Sequence, residues 1–176
     1  MKYTKQIILC LTILLLLPGI LVWAENYALE FDGTDDFLYL GEGVPVLGTT
    51  FTQELWIYSE AGTNSGFNGI LGFEGTNAAG RSRPPSIYLH EGTKIHYGFG
   101  DGTKWYATTT DTSVLAQDTW NHIAVTFDGT NYILYVNGTQ EHSITSSGAD
   151  SLTGKTPINL PIKWIGKIDN FFEGQI

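Results

Sequence analysis

FDGTNYILYVNGTQ, residues 127–140, holds the feature on which the fold turns: Asn137-Gly138 stands between YILYV and TQEHSIT. Asn-Gly flanked in this way is the strongest short hairpin signal, because a two-residue turn that matches strand twist needs positive φ at both positions. Just upstream, WNHIAVTF at 120–127 alternates apolar with polar residues at the period of a half-buried strand. An acidic or amide residue followed by Gly-Thr recurs six times, at Asp32, Glu74, Glu91, Asp101, Asp128 and Asn137. Glycine supplies positive φ, the residue before it bonds its own backbone, and threonine re-enters a strand, so the unit is hairpin punctuation.

The same pattern extends along the chain. Short segments rich in β-branched and aromatic residues predict strands near 26–31, 37–40, 51–58, 69–73, 86–90, 94–98, 105–109, 120–127, 132–136, 139–145 and 162–167. After residue 24, apolar residues nowhere recur at helical spacing over ten positions, so no helix of ordinary length is predicted. Without βαβ alternation, so many short strands imply an all-β, antiparallel two-sheet sandwich. Loops at 59–68, 74–85 and 146–160 carry the Gly, Ser, Asn and Pro.

Residues 1–24 place Lys2 and Lys5 before an apolar run and end in Val22-Trp23-Ala24, the pattern of a secretory signal peptide cleaved after Ala24. An uncleaved anchor is the alternative, since Ile7 to Ala24 is 18 residues long, near the lower limit of about 17 for a span. The single cysteine, Cys10, leaves with this leader. The remaining domain, 25–176, has 152 residues, enough to bury a core without disulfides. It carries 7 Lys and Arg against 18 Asp and Glu, a net charge of −11. Such a surface repels phosphate backbones and anionic lipid, which argues against nucleic acid and against membrane insertion once the leader is gone. A secreted protein, extracellular or at the cell surface, is expected.

ALEFDGTDDFLYLG, FTQELWIY, WNHIAVTFDGTNYILYVNGT and IGKIDNFFEGQI follow one another in an order and spacing that resemble a laminin-G-like domain of the concanavalin A-like jelly-roll superfamily. The resemblance covers nearly all of 25–176 and implies a jelly roll whose ligand is carbohydrate, either polysaccharide or glycan. It also implies one more strand after the final motif. Because the sequence stops at Gln175-Ile176, that strand is expected to be missing and one sheet edge partly unpaired.

FTQELWIYSE at 51–60 bears on whether the domain is an enzyme. In glucanases of this architecture the catalytic strand carries a glutamate, an aspartate two residues on, and a second glutamate two or three further. Here the place two after Glu54 is Trp56 and the place four after is Tyr58. Glu60 shares the face but lies roughly 20 Å along an extended strand, too far for a retaining or inverting pair. The stretch reads as an inner strand with Phe51, Leu55 and Ile57 on one face and Trp56 and Tyr58 on the other. Nor is there a G-x-S-x-G elbow, an H-E-x-x-H, a P-loop or a cysteine nucleophile.

Four histidines remain. His122 reads as a buried structural residue, and His142, in a Thr- and Ser-rich strand, as solvated. A loop at Glu91-Gly92-Thr93 would pair His90 with Lys94 and Tyr88 with His96, which sets all four on one face and Ile87, Leu89, Ile95 and Tyr97 on the other. Zinc on the two imidazoles lacks a third ligand and faces Lys94. The alternatives are a solvated face and a sugar-facing patch formed by Tyr88, His90 and His96, with Trp105 on the next strand as a platform. Asp32, Asp35 and Asp36 offer hard oxygens to calcium, against the alternative of plain turn chemistry. Many similar domains hold a structural calcium, and Asp169 joins the three if the first and last strands meet. The expectation is a non-catalytic binding module. Its rivals are an adhesion or spacer module that binds an extracellular protein, and a glucanase-type hydrolase.

Overall fold

The computed structural model describes residues 27–41, 44, 46–73, 81–144 and 151–176. The leader expected at 1–24, the Gly-Thr turn at Glu74 and parts of two predicted loops lie outside the described residues. In chain order the strands are β1 (Glu30–Asp32), β2 (Leu38–Tyr39), β3 (Phe51–Tyr58), β4 (Phe67–Gly72), β5 (Ser86–His90), β6 (Lys94–Gly100), β7 (Trp105–Thr109), β8 (Trp120–Phe127), β9 (Tyr132–Val136), β10 (Thr139–Ile144), β11 (Trp164–Ile165), β12 (Lys167–Ile168), β13 (Asn170–Phe171) and β14 (Glu173–Gln175). Sheet 1 runs β1-β14-β3-β8-β9-β10 and sheet 2 runs β2-β11-β4-β5-β6-β7, while β12 and β13 form a separate small hairpin. All pairings are antiparallel. The two sheets stack as a sandwich of the expected class, and the described residues contain no helix.

Strict alternation explains the core. In β8 the buried set is Asn121, Ile123, Val125 and Phe127, and in β9 it is Tyr132, Leu134 and Val136. From sheet 2 they meet Ile70, Ile87, Leu89, Ile95, Tyr97 and Phe99 in one cluster. The Tyr97 hydroxyl crosses between sheets and donates to the Tyr132 carbonyl at 3.2 Å.

The turn units do what their residues dictate, in two ways. Asn137 and Gly138 take φ of 50° and 81°, and Thr139 pairs with Val136, a two-residue hairpin. At Asp32, Asp101 and Asp128 the carboxylate instead accepts the N–H two residues on, at 2.8 Å in each case.

The largest departure from expectation lies at 162–176. One strand was predicted near 162–167, whereas the segment breaks into β11, β12, β13 and β14 and passes from sheet 2 to sheet 1. β14 inserts between β1 and β3, and touches β3 through the single pair Gln175↔Tyr58. Among the described residues, Phe51 to Ile57 therefore pair on one side only, with β8. The β12-β13 hairpin clasps β4 so closely that a Cβ on Gly69 would lie 2.0 Å from the Ile168 nitrogen.

Candidate functional site

On the outer face of sheet 2 the predicted pairing holds: Tyr88 stands opposite His96 and His90 opposite Lys94, with Ile87, Leu89, Ile95 and Tyr97 fully buried beneath. Tyr88, His90, His96 and Trp105 are gathered on one face, joined by Phe67, which the sequence reading missed. Phe67 stacks on His90 at 4.1 Å and meets Tyr88 and His96 edge-on. The His96 and Trp105 rings lie 6.3 Å apart.

This face is covered over Tyr88, although Phe67 at its margin is 40% exposed. Arg83 grips Asp169 through two hydrogen bonds of 2.6 and 2.7 Å and also donates to the Tyr88 hydroxyl. Its guanidinium stands 6.0 Å from both the Tyr88 and Trp105 ring centres. Tyr88 keeps 2% of its surface, so its ring is support rather than contact. Burial pushes His96 down to about 4, helped by the charges of His90 and Arg83, so its ring is neutral at pH 7.

The outer face of sheet 1 is open. Trp56 pairs with His122 and Tyr58 with Trp120 across β3 and β8, which sets four rings in a block. Trp56 lies 5.2 Å from the His122 ring, and Tyr58 meets Trp120 edge-on at 5.8 Å. Trp56 is nevertheless 56% exposed and Trp120 39%. His122 is therefore not the buried residue expected: Asn121, 1% exposed, occupies the inward position. The Asn121 amide donates to the carbonyls of Ala116 and Thr119, and the Asn137 side chain accepts the His122 N–H, so the Trp-Asn-His stretch is held at both ends. Beside the block runs a groove of about 590 Å³ lined by Tyr27, Ala28, Glu30, Trp56, Trp120, Gln175 and Ile176. His142, expected in solvent, is half-buried on Tyr97, whose hydroxyl is 3.1 Å from its Nδ1.

Glu54 shares this face. Its carboxylate is 66% exposed and lies 3.5 Å from His122 Nε2, and the outward residues after it are Trp56 and Tyr58. The strand presents no second carboxylate beside it.

Asp32, Asp35 and Asp36 bring one carboxylate oxygen each within 4.8 Å of one another, all exposed. Asp32 Oδ1 already accepts from Thr34 and Asp35, and Asp36 Oδ2 from the Asp32 N–H. Hydrogen bonds led by that from Thr34 hold the Asp32 carboxyl below its usual range. Carboxylate oxygens are the hard donors that calcium takes, and three such residues would leave the rest of its shell to water. The first and last strands do meet, Asp32 opposite Glu173, but Asp169 is held away on Arg83.

Charge divides the molecule. The six strands of sheet 1 contain Glu30, Asp32, Glu54, Glu141 and Glu173 and no lysine or arginine. Of the cations after the leader, Arg81, Arg83, Lys94, Lys104 and Lys167 belong to sheet 2, its connections or the β12-β13 hairpin, and Lys155 and Lys163 lie on the segment that joins β10 to β11.

A laminin G family profile, described as Concanavalin A-like lectin/glucanases superfamily, matches residues 32–176. No curated protein matches the chain. Among solved structures, the Ruminococcus gnavus IT-sialidase CBM40 bound to α2,3-sialyllactose is similar at a TM-score of 0.63 and 13% identity, over 86% of each chain. Domain 4 of AbnA, a GH43 extracellular arabinanase from Geobacillus stearothermophilus in complex with arabinotriose, is similar at 0.57 and 19%, over 84% of this chain and 66% of that one. Domains LG4-5 of the mouse laminin α1 chain give 0.55 and 13%, over 85% of this chain and 39% of theirs. At these identities the likeness is one of fold.

Proposed function

The chain belongs to the laminin G family of the concanavalin A-like lectin/glucanases superfamily, and from that premise we propose that it is a secreted, non-catalytic module that binds carbohydrate. The observation that carries the reading is the open aromatic block on sheet 1, where Trp56 and Trp120 are flanked by His122 and Tyr58 and border a groove with the Glu30 carboxylate and Gln175 amide. Ring faces stack on the C–H faces of a pyranose, and fixed polar groups take its hydroxyls. Because each indole already packs beside a neighbouring ring, little rotamer freedom is lost on binding. The groove falls within the usual range for ligand sites, about 300–1,000 Å³. That two of the similar structures hold glycans agrees with this assignment. Recognition on so shallow a surface is weak for one copy, and neighbouring copies would add avidity.

Calorimetry against an oligosaccharide panel tests the site. Trp56→Ala is expected to weaken binding by about tenfold, the equivalent of 1.4 kcal/mol. If Trp105→Ala abolishes binding while Trp56→Ala leaves it intact, the site belongs on sheet 2, where the sequence first placed it. A protein ligand is the second reading, favoured by Phe37, Leu38 and Tyr39 at the β2 edge, 44%, 39% and 45% exposed. Protein binding without any glycan binding would select it.

We further propose that Asp32, Asp35 and Asp36 take calcium as a structural ion. The expected result is a melting temperature raised by calcium, with the rise absent in Asp32→Ala; a wild-type curve that calcium leaves unchanged rejects the site.

A further inference from the structure

Resting on the glycan reading above, we propose that the groove on sheet 1 selects uncharged or cationic saccharides and discriminates against those bearing carboxylates, sialic and uronic acids among them. The argument is one of charge placement. Among the described residues, Glu30 is the only charged side chain that lines the groove. Glu54, two residues from Trp56 on the same face, is exposed. Asp32 and Glu173 follow on the two strands that form the far wall, and Asp35 and Asp36 stand at its end. The basic ring on this face, His122, lies between Trp56 and Glu54.

The cations that could offset these carboxylates are on the other sheet or, for Lys155 and Lys163, on the connection that runs to it, where Lys155 approaches Asp101 and the Lys163 N–H donates to the Gly72 carbonyl. Stacked sheets lie about 10 Å apart, while the screening length at physiological salt is about 8 Å, so exposed lysines across the sandwich contribute little at the groove. Several are also engaged: Arg83 with Asp169, Lys94 with Glu91 at 3.0 Å, and Lys167 over the rings of Phe37, Trp164 and Phe171. A sugar carboxylate about 6 Å from one groove carboxylate is disfavoured about threefold in a water-like medium, and two such neighbours give about tenfold. Sugar hydroxyls are affected in the opposite sense, because a carboxylate accepts their protons in strong hydrogen bonds. An amino sugar gains attraction as well.

A glycan array of matched pairs with and without a carboxylate tests this: lactose with sialyllactose, neutral xylan with glucuronoxylan, and chitosan oligomers as the cationic arm. The full chain is probed at low and at physiological salt beside Trp56→Ala, Glu30→Gln and Glu54→Gln. For each pair bound through Trp56, the acidic member is expected to bind about tenfold more weakly at low salt. That gap should narrow with salt and in either glutamine variant. Acidic members that bind as well as or better than their neutral partners, with Trp56 still required, overturn the selectivity and leave the glycan site standing. Absence of all glycan binding, or binding indifferent to Trp56→Ala, removes the site itself and the selectivity with it.

Discussion

Tyr88 and Trp56 occupy equivalent places on opposite sides of the sandwich, yet Tyr88 is 2% exposed and Trp56 56%. Among the described residues, Tyr88 is paired on both sides and Trp56 on one, with β8, yet both have a ring partner on the neighbouring strand, His96 for Tyr88 and His122 for Trp56. The difference is made by what lies over each face: for Tyr88, the segment just before β5 and the distant β12-β13 hairpin. Over sheet 2, the Arg83 segment and the β12-β13 hairpin close on each other through the Arg83–Asp169 pair, above a strand that has Gly69 where any larger residue would collide with Ile168. No comparable segment among the described residues crosses the face of sheet 1. Aromatic content alone therefore does not mark a binding face. What matters is whether the rings are supported from the side and left uncovered in front.

The sharpest way to break this comparison is to truncate both rings. Tyr88→Ala removes a buried aromatic and orphans a hydrogen bond from Arg83, so a loss of about 3 kcal/mol in urea unfolding is expected. Trp56→Ala should cost less than about 1 kcal/mol, because more than half of that side chain already meets water. Equal losses would mean that the two faces are alike in packing, and the division of roles between them would fall.

His96 offers a second contrast, this time in pH. Its folded pKa of about 4 lies below the ordinary 6.5, so the unfolded chain takes up a proton first as the pH falls. Stability from this group is full above pH 6.5 and is lost on the way down to pH 4, by up to about 3 kcal/mol. Carboxylates titrate in the lower half of that window too, so the informative quantity is the difference between wild type and His96→Gln at pH 7.5 and 4.5. The glutamine variant should lose less stability between those points. Identical losses would show that the proton reaches His96 without disturbing the covered face.

Much of this was legible along the chain, and the remainder was illegible for a definite reason. β3, β5, β7, β8 and β9 were predicted with the bounds observed, and the β5-β6 register followed from the turn between them. Hairpin pairing is local, and turn chemistry specifies it. The pairing of β3 with β8 joins strands some sixty residues apart, and no turn records it, so the block of Trp56, Tyr58, Trp120 and His122 could not be assembled in advance. His122 reads as a buried structural residue from the sequence. The structure instead buries the asparagine, whose amide serves two backbone carbonyls. The turn places Tyr88 on the correct face, but Arg83 covers it only when held by Asp169, 86 residues further along the chain, a pairing no local signal announces. The break at Gly166, with φ of 83°, likewise ends β11 inside the single strand that the sequence predicts near 162–167.

The smallest expected effect separates the binding reading from its enzymatic rival. Glu54→Gln removes one member of an exposed contact with His122, which at 66% exposure is worth less than about 0.5 kcal/mol. Its melting curve should overlay that of the wild type. A glucanase needs two carboxyl groups flanking one bond, roughly 5 to 9.5 Å apart, and the outward positions after Glu54 are filled by Trp56 and Tyr58, whose rings are committed to the aromatic block. Incubation with β-glucans should therefore release no reducing ends from either protein. If the wild type cleaves and Glu54→Gln does not, the acid partner is supplied from outside this strand, and the open face of sheet 1 is a catalytic cleft rather than a platform.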